Sequence, residues 1–260
     1  MPDATPRPAG TFCWMEHDSR NRDAAEAFYR DVLGWEITRQ DIGGGYEYAM
    51  ATVSGLAVGG LWALGDEVPA DAPSRWTLHI AVDDADASAA RAIELGATVL
   101  MDVHEVMGMG RLVLLQDPAG ATIGLWQALS FAGLQLEMAP GSLTWADIAA
   151  PDLDAARDFY TALLGWEAEE LDGEGRYVVF NREGAPIAGA TEHPALAGWT
   201  PYIAVLDTDA TVAAATAAGA TVMWGPADTP YGRIAALTDP VGVAINVIRP
   251  NREPVEAPPG

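Results

Sequence analysis

The sequence predicts an α+β chain built twice over, as two tandem domains that each hold two strand–helix–strands modules. Three observations carry this reading. "DAAEAFYRDVLGW" at 23–35 returns as "DAARDFYTALLGW" at 154–166, an offset of 131, and the later segments return in the same order. Inside each repeat a weaker period shows: 12–34 and 76–96 both read as a strand, an Asp-containing turn, an Ala-rich helix and a glycine. Apolar residues alternate in the strand-like runs and recur every three to four residues in the helix-like ones.

Taken in order, the Pro-rich residues 1–9 are expected to form a disordered N-terminus, and the first domain covers 10–128. Its opening strand, "GTFCWMEHD", is answered at 141–149 by "GSLTWADIA"; each has a Trp four residues after a Gly and an acid two residues later. The helix that follows shows its apolar face in Ala25, Phe28 and Val32, with Ala156, Phe159 and Leu163 in the repeat. Each stops at a Gly suited to the residue after the last helical one. Gly43–Gly45 precedes no helix, so it reads as a hairpin or connecting loop, not as a phosphate loop. Tyr48 returns as Tyr177 on a middle strand, to line or support a cleft.

"RWTLHIAV" at 75–82 returns as "GWTPYIAV" at 198–205. Alternation places Leu78, Ile80 and Val82 under the helices, and Thr77, His79 and Ala81 on the other face. By the same rule Trp14 with Glu16, and Trp145 with Asp147, lie opposite the helix-packed side. "GATV" recurs at 96–99 and 219–222. His104 and Glu105 fall in "HEVMGMG", expected to be a loop that is either a plain connector or a lid over the first domain. Arg111 and Arg233 each follow a glycine, and Asp117 and Asp239 in the "DPAG" and "DPVG" turns are their expected partners. A linker, 129–140, leads to the second domain at 141–250, and 251–260 reads as a flexible tail rich in Pro and charge.

Composition narrows the function. Thirty-seven acidic residues against fourteen basic ones give a net charge of −23, which repels nucleic acid and anionic lipid surfaces alike. All the cations are arginines, so lysine Schiff-base chemistry is excluded. Cys13 stands alone, leaving no intrachain disulfide and no thiolate cluster, which fits a cytoplasmic protein. No stretch approaches the roughly 18 apolar residues of a membrane span. The expected partner is a small molecule, and the expected state a monomer or homodimer.

With "AFYRDVLGWEI", "LHIAVDDADA", the Gly-Ala-Thr-Val strand and "GRLVLLQDPAGATIGLWQ" in order, the chain resembles the vicinal oxygen chelate superfamily. That group holds glyoxalases, bleomycin-resistance proteins and extradiol dioxygenases, and the chain is similar to its tandem two-domain branch, labelled glyoxalase-like or hydroxylase. The resemblance implies two domains of paired βαβββ modules, each pair a curled mixed sheet around a cleft with helices outside. It also implies a divalent metal held by His and Glu from the first and last strands of each module. Carried onto this chain, the first-strand positions fall at Trp14 and Trp145 and near Thr77 and Thr200; the final-strand glutamate falls at Gly124 and Asn246. The remaining positions lie in Gly59–Leu61 and Gly189–Thr191. None is His, Asp or Glu, so no metal ligand is assigned and no cofactor is expected. A divalent metal survives only as a minor alternative, a shifted site using Glu16 and His79.

The function expected is binding of a small planar or aromatic metabolite on tryptophan platforms, without the usual metal. Trp14, Tyr48, Thr77, Trp126, Trp145, Tyr177, Thr200, Tyr202 and Asn246 are the candidate binding residues. Glu16, His79 and Asp147 are the candidate acid–base residues. The alternative is a lyase, isomerase or hydroxylase-like enzyme acting on a small carbonyl or aromatic compound through Glu16 and His79, or through a non-standard metal site.

Overall fold

The computed structural model describes residues 5–66, 68, 69, 72–171 and 175–251. Residues 1–4 and 252–260, most of the two termini expected to lie outside the fold, are not among them. The first repeat runs β1 (Phe12–Ser19), α1 (Arg22–Leu33), β2 (Glu36–Gly43), β3 (Tyr46–Val53), β4 (Leu56–Ala63), β5 (Arg75–Ala81), α2 (Ala85–Glu94), β6 (Thr98–Val106), β7 (Gly110–Gln116) and β8 (Thr122–Ala128). The second runs β9 (Leu143–Ala150), α3 (Leu153–Leu164), β10 (Glu167–Leu171), β11 (Tyr177–Arg182), β12 (Ala185–Glu192), β13 (Gly198–Ala204), α4 (Thr208–Ala217), β14 (Thr221–Thr229), β15 (Gly232–Thr238) and β16 (Ala244–Pro250). Four βαβββ modules follow from this order. Their strands form two mixed eight-stranded sheets, ordered β2-β3-β4-β1-β5-β8-β7-β6 and β10-β11-β12-β9-β13-β16-β15-β14.

Local chemistry sets the element ends. Asn21, Asp84, Asp152 and Asp207 each precede a helix, and their side chains accept a hydrogen bond from the N–H three residues on. Gly34 and Gly165 close α1 and α3 at φ 68°, a left-handed turn that a side chain disfavours. Gly44 and Gly45 turn the β2–β3 hairpin, as expected from the glycine run. His104 and Glu105, expected in a loop, lie instead in β6, paired with Leu112 and Arg111. The glycines that suggested a loop turn only the hairpin tip at 107–109.

By packing, the chain forms two compact units: one of Met1–Trp14, Thr77–Gly133 and Trp145–Trp199, the other of Met15–Trp76, Leu134–Thr144 and Thr200–Gly260. Each has an aromatic core. In the first unit Tyr160 stacks on Trp166 and meets Phe180 and Trp199 edge-on. In the second, Tyr29 stacks on Trp35 and meets Trp76 and His17. The indole of Trp166 donates to the Gly10 carbonyl at 2.9 Å, and that of Trp35 to the Gly141 carbonyl at 2.8 Å. The Leu-Gly-Trp motif of each repeat thus holds the glycine that opens the other.

The arginines expected to pair with the DPxG aspartates do not. Arg111 pairs with Asp86, and Arg233 with Asp209 and Asp228, because those acids stand on exposed helix and strand positions beside the arginine. The turn aspartates point inward. Asp117 accepts from Tyr160 at 2.8 Å, and Asp239 from Tyr29 and His17, each at 2.9 Å. Burial would raise Asp239, but His17, the Val243 N–H and Tyr29 bring its carboxyl below the usual range. Among the described residues no helix is long and apolar enough to cross a membrane.

Candidate functional site

One register rule recurs in all four modules. The first strand runs parallel to the last, and the pairs are Glu16 with Gly60, His79 with Gly124, Asp147 with Gly189, and Tyr202 with Asn246. Three of the four carry an ionisable side chain opposite a bare glycine. Each glycine leaves room that a neighbour fills. A Cβ on Gly60 would collide with the Tyr48 hydroxyl, and one on Gly189 with the Tyr177 hydroxyl and the Asp147 carboxylate. A Cβ on Gly124 would come within 2.9 Å of the His79 ring. Tyr48 and Tyr177 therefore reach the acids because Gly60 and Gly189 have no side chain.

In the second unit, Tyr48 donates to the Glu16 carboxyl, which is also hydrogen-bonded to Asp18. Asp18 is buried and tied to Arg75 at 3.2 Å. Two carboxyls in contact need a proton between them. Burial, foremost, and the Asp18 charge push Glu16 up to about 8, against the weaker pull of Tyr48 and Arg75. Glu16 keeps partial surface exposure even so. Asp18 and Arg75 were not anticipated, although the spacing in "MEHD" puts Asp18 on the face of Glu16. Thr200 and Tyr202 are half-buried on β13, with Asn246 beside Tyr202 on β16.

In the first unit, Trp145 and Tyr177 both donate to the same Asp147 oxygen, at 2.8 and 2.7 Å. The Trp-x-acid spacing that marks both first strands is thus a direct hydrogen bond in the second repeat. Trp14 and Trp126 are 6% and 8% exposed, and Phe131 meets both edge-on, at ring distances of 5.2 and 6.4 Å. Trp126 lies over Gly110, where a Cβ would strike its indole. Phe131 belongs to the linker and gave no signal in the repeat, since it has no counterpart there. Thr77 is buried on β5, and so is His79, whose Nε2 has no hydrogen-bond partner among the described residues. Burial pulls the His79 imidazole down to about 4, so it is neutral at pH 7.

Residues 14–125 match the glyoxalase-like domain family, and residues 142–247 match the glyoxalase/bleomycin resistance protein/dioxygenase superfamily. Along nearly the whole chain, 35% of residues are identical to the "Putative glyoxylase CFP32" of Mycobacterium tuberculosis, covering 96% of this chain and 98% of that protein. The chain belongs to the vicinal oxygen chelate superfamily. A further superfamily relative is the anthracycline biosynthesis protein DnrV of Streptomyces peucetius, 32% identical over 92% of this chain and 93% of that one. The fold is similar to the Mn(II)-bound glyoxalase from Novosphingobium aromaticivorans, at TM-score 0.66, 20% identity and coverage of 93% and 82%. It is also similar to the 2,3-dioxygenase LapB from Pseudomonas sp. KL28, at TM-score 0.65, 16% identity and coverage of 96% and 98%.

The superfamily implies a divalent metal, and the donor set can be tested against it. Among the described residues no three His, Cys, Asp or Glu side chains stand together as a metal would require. An indole at Trp14 and the bare glycines at 60, 124 and 189 supply no ligand, and side chains that touch a neighbour fill the room over those glycines. These residues do not fit the metal of the superfamily.

Proposed function

We propose that the chain binds a small, planar aromatic metabolite in the tryptophan-lined cleft of its first repeat, as a cytoplasmic protein and without the metal its superfamily usually carries. The observation that carries this is the filled glycine set. Tyr48, His79 and Tyr177 stand over Gly60, Gly124 and Gly189, so the coordinating positions are taken up by organic side chains. Trp14 and Trp126, flat and apolar with Phe131 against both, supply the surface an aromatic ring seeks. The name of the DnrV relative supports the ligand class, since an anthracycline contains a flat, fused-ring anthraquinone.

Acid–base catalysis is the second reading. Its support lies in each unit separately: in the second, a glutamic acid raised to about 8 and able to give a proton at neutral pH, and in the first, a buried neutral histidine whose Nε2 has no partner among the described residues. A titration of intrinsic tryptophan fluorescence with 1,2-dihydroxyanthraquinone tests the first reading. Wild type is expected to quench saturably, and Trp14→Ala to weaken binding by about tenfold or more, the equivalent of about 1.4 kcal/mol. Equal affinity in the variant rejects the platform.

A further inference from the structure

The aromatic slot of the first repeat already contains an aromatic ring, and that ring comes from a segment with no helix or strand of its own. Leu129 and Phe131 donate their N–H groups to the Met109 carbonyl at 2.9 and 3.0 Å, and Ser130 donates its hydroxyl to the Gly108 carbonyl at 2.8 Å. The Trp126 indole donates to the Phe131 carbonyl at 3.0 Å. All four bonds use backbone carbonyls, and three of them end on the β6–β7 hairpin tip, where Met107 and Gly108 turn at φ 50° and 69°. The segment and the tip make a two-piece cover.

At its far end the segment is pinned. Gly133 sits at φ 106° with its backbone against the Cys13 carbonyl, where a Cβ would collide. Between the pins, Phe131 is half-exposed while the two indoles it covers are buried. Beside it lies a cavity of about 130 Å³, whose lining includes Trp126, Ala81 and Ala132 and also the polar Arg7, Asp83 and Gln127. That volume suits a single ring, since a cavity of about 150 Å³ accepts benzene. A fused-ring compound exceeds that volume, and Phe131 packs against the same Trp126 indole that walls the cavity.

We infer that Phe131 is a displaceable cover that stands in for the ligand, holding the slot against Trp14 and Trp126 until a multi-ring planar compound takes its place. This rests on the binding reading above and adds its gate and its size selection. Residue 131 would then set selectivity by ring count. Single rings enter the existing cavity, whereas three-ring compounds must expel the phenyl group. Their apparent affinity is lowered by the fraction of time the cover is closed.

The test compares wild type with Phe131→Ala, and with Phe131→Leu as a milder variant, in fluorescence titrations with catechol, 2-hydroxy-1,4-naphthoquinone and 1,2-dihydroxyanthraquinone. The expected result is an affinity gain for the three-ring compound of about tenfold in Phe131→Ala, with catechol changed by less than about twofold. A second readout uses protein labelled with 4-fluorophenylalanine, with the Phe131 fluorine resonance assigned from Phe131→Leu. On saturation with the three-ring compound that resonance should move to the solvent-exposed position. If wild type binds but the variants bind equally or more weakly, or the resonance stays in place at saturation, the cover is refuted while the binding reading stands. If neither wild type nor variant binds any of the three compounds, the binding reading and the cover fall together.

Discussion

Replacing Glu16 by Gln tests the electrostatics of the site through stability alone. In the folded chain Glu16 is raised to about 8 from an ordinary 4.5, so between these values the folded state binds a proton that the unfolded state has lost. Stability must then fall as pH rises through this window. A carboxyl raised in the native state is a burden once it ionises, the opposite of a salt-bridged acid. At about 1.36 kcal/mol for each unit, the difference between 8 and 4.5 sets a ceiling of roughly 5 kcal/mol. Partial exposure of Glu16 and relaxation around it reduce this to roughly 2–3 kcal/mol. Urea unfolding of wild type and Glu16→Gln at pH 5 and pH 9 measures it. The variant, neutral throughout, should gain about 2–3 kcal/mol on wild type between the two pH values. A gap that is the same at both would mean that Glu16 titrates in the ordinary range, and the reasoning fails.

Asp239→Ala leaves buried His17 and the Tyr29 hydroxyl without their acceptor, and should cost about 3–5 kcal/mol in thermal or urea unfolding. His17→Ile, which copies Ile148 of the other repeat and keeps the Tyr29 bond, should cost under about 2 kcal/mol; equal losses would show that the pair is not what holds this part of the core. Gly189→Ala should push Tyr177 off Asp147, freeing the Trp145 ring; a red-shifted tryptophan emission checks this, and an unchanged spectrum with an intact fold contradicts it.

The sequence made the scaffold legible because the scaffold is local. Helix caps at Asn21, Asp84, Asp152 and Asp207, the αL glycines 34 and 165, and the alternation that buries Leu78 and Ile80 are each set by residues a few positions apart. The site is a matter of register between strands. That Tyr48 reaches Glu16 over Gly60 depends on how β3 and β4 pair, and 44 residues separate Glu16 from Gly60. The repeat did flag both tyrosines and both acids, without showing that they bond. Arg111 and Arg233 pair not with the aspartates of the DPxG turns that follow them but with Asp86 and Asp209, which the helix folds onto them. Phe131 was invisible because it lies in the linker, outside the repeat.

Binding of an aromatic ligand through the chain's own side chains is what the proposed function requires. It is tested most directly by titrating 1,2-dihydroxyanthraquinone into the purified protein before and after treatment with a strong chelator, with the divalent metal content of both samples measured. Sub-stoichiometric metal and the same affinity in both samples are expected. A stoichiometric metal whose removal abolishes binding would contradict it.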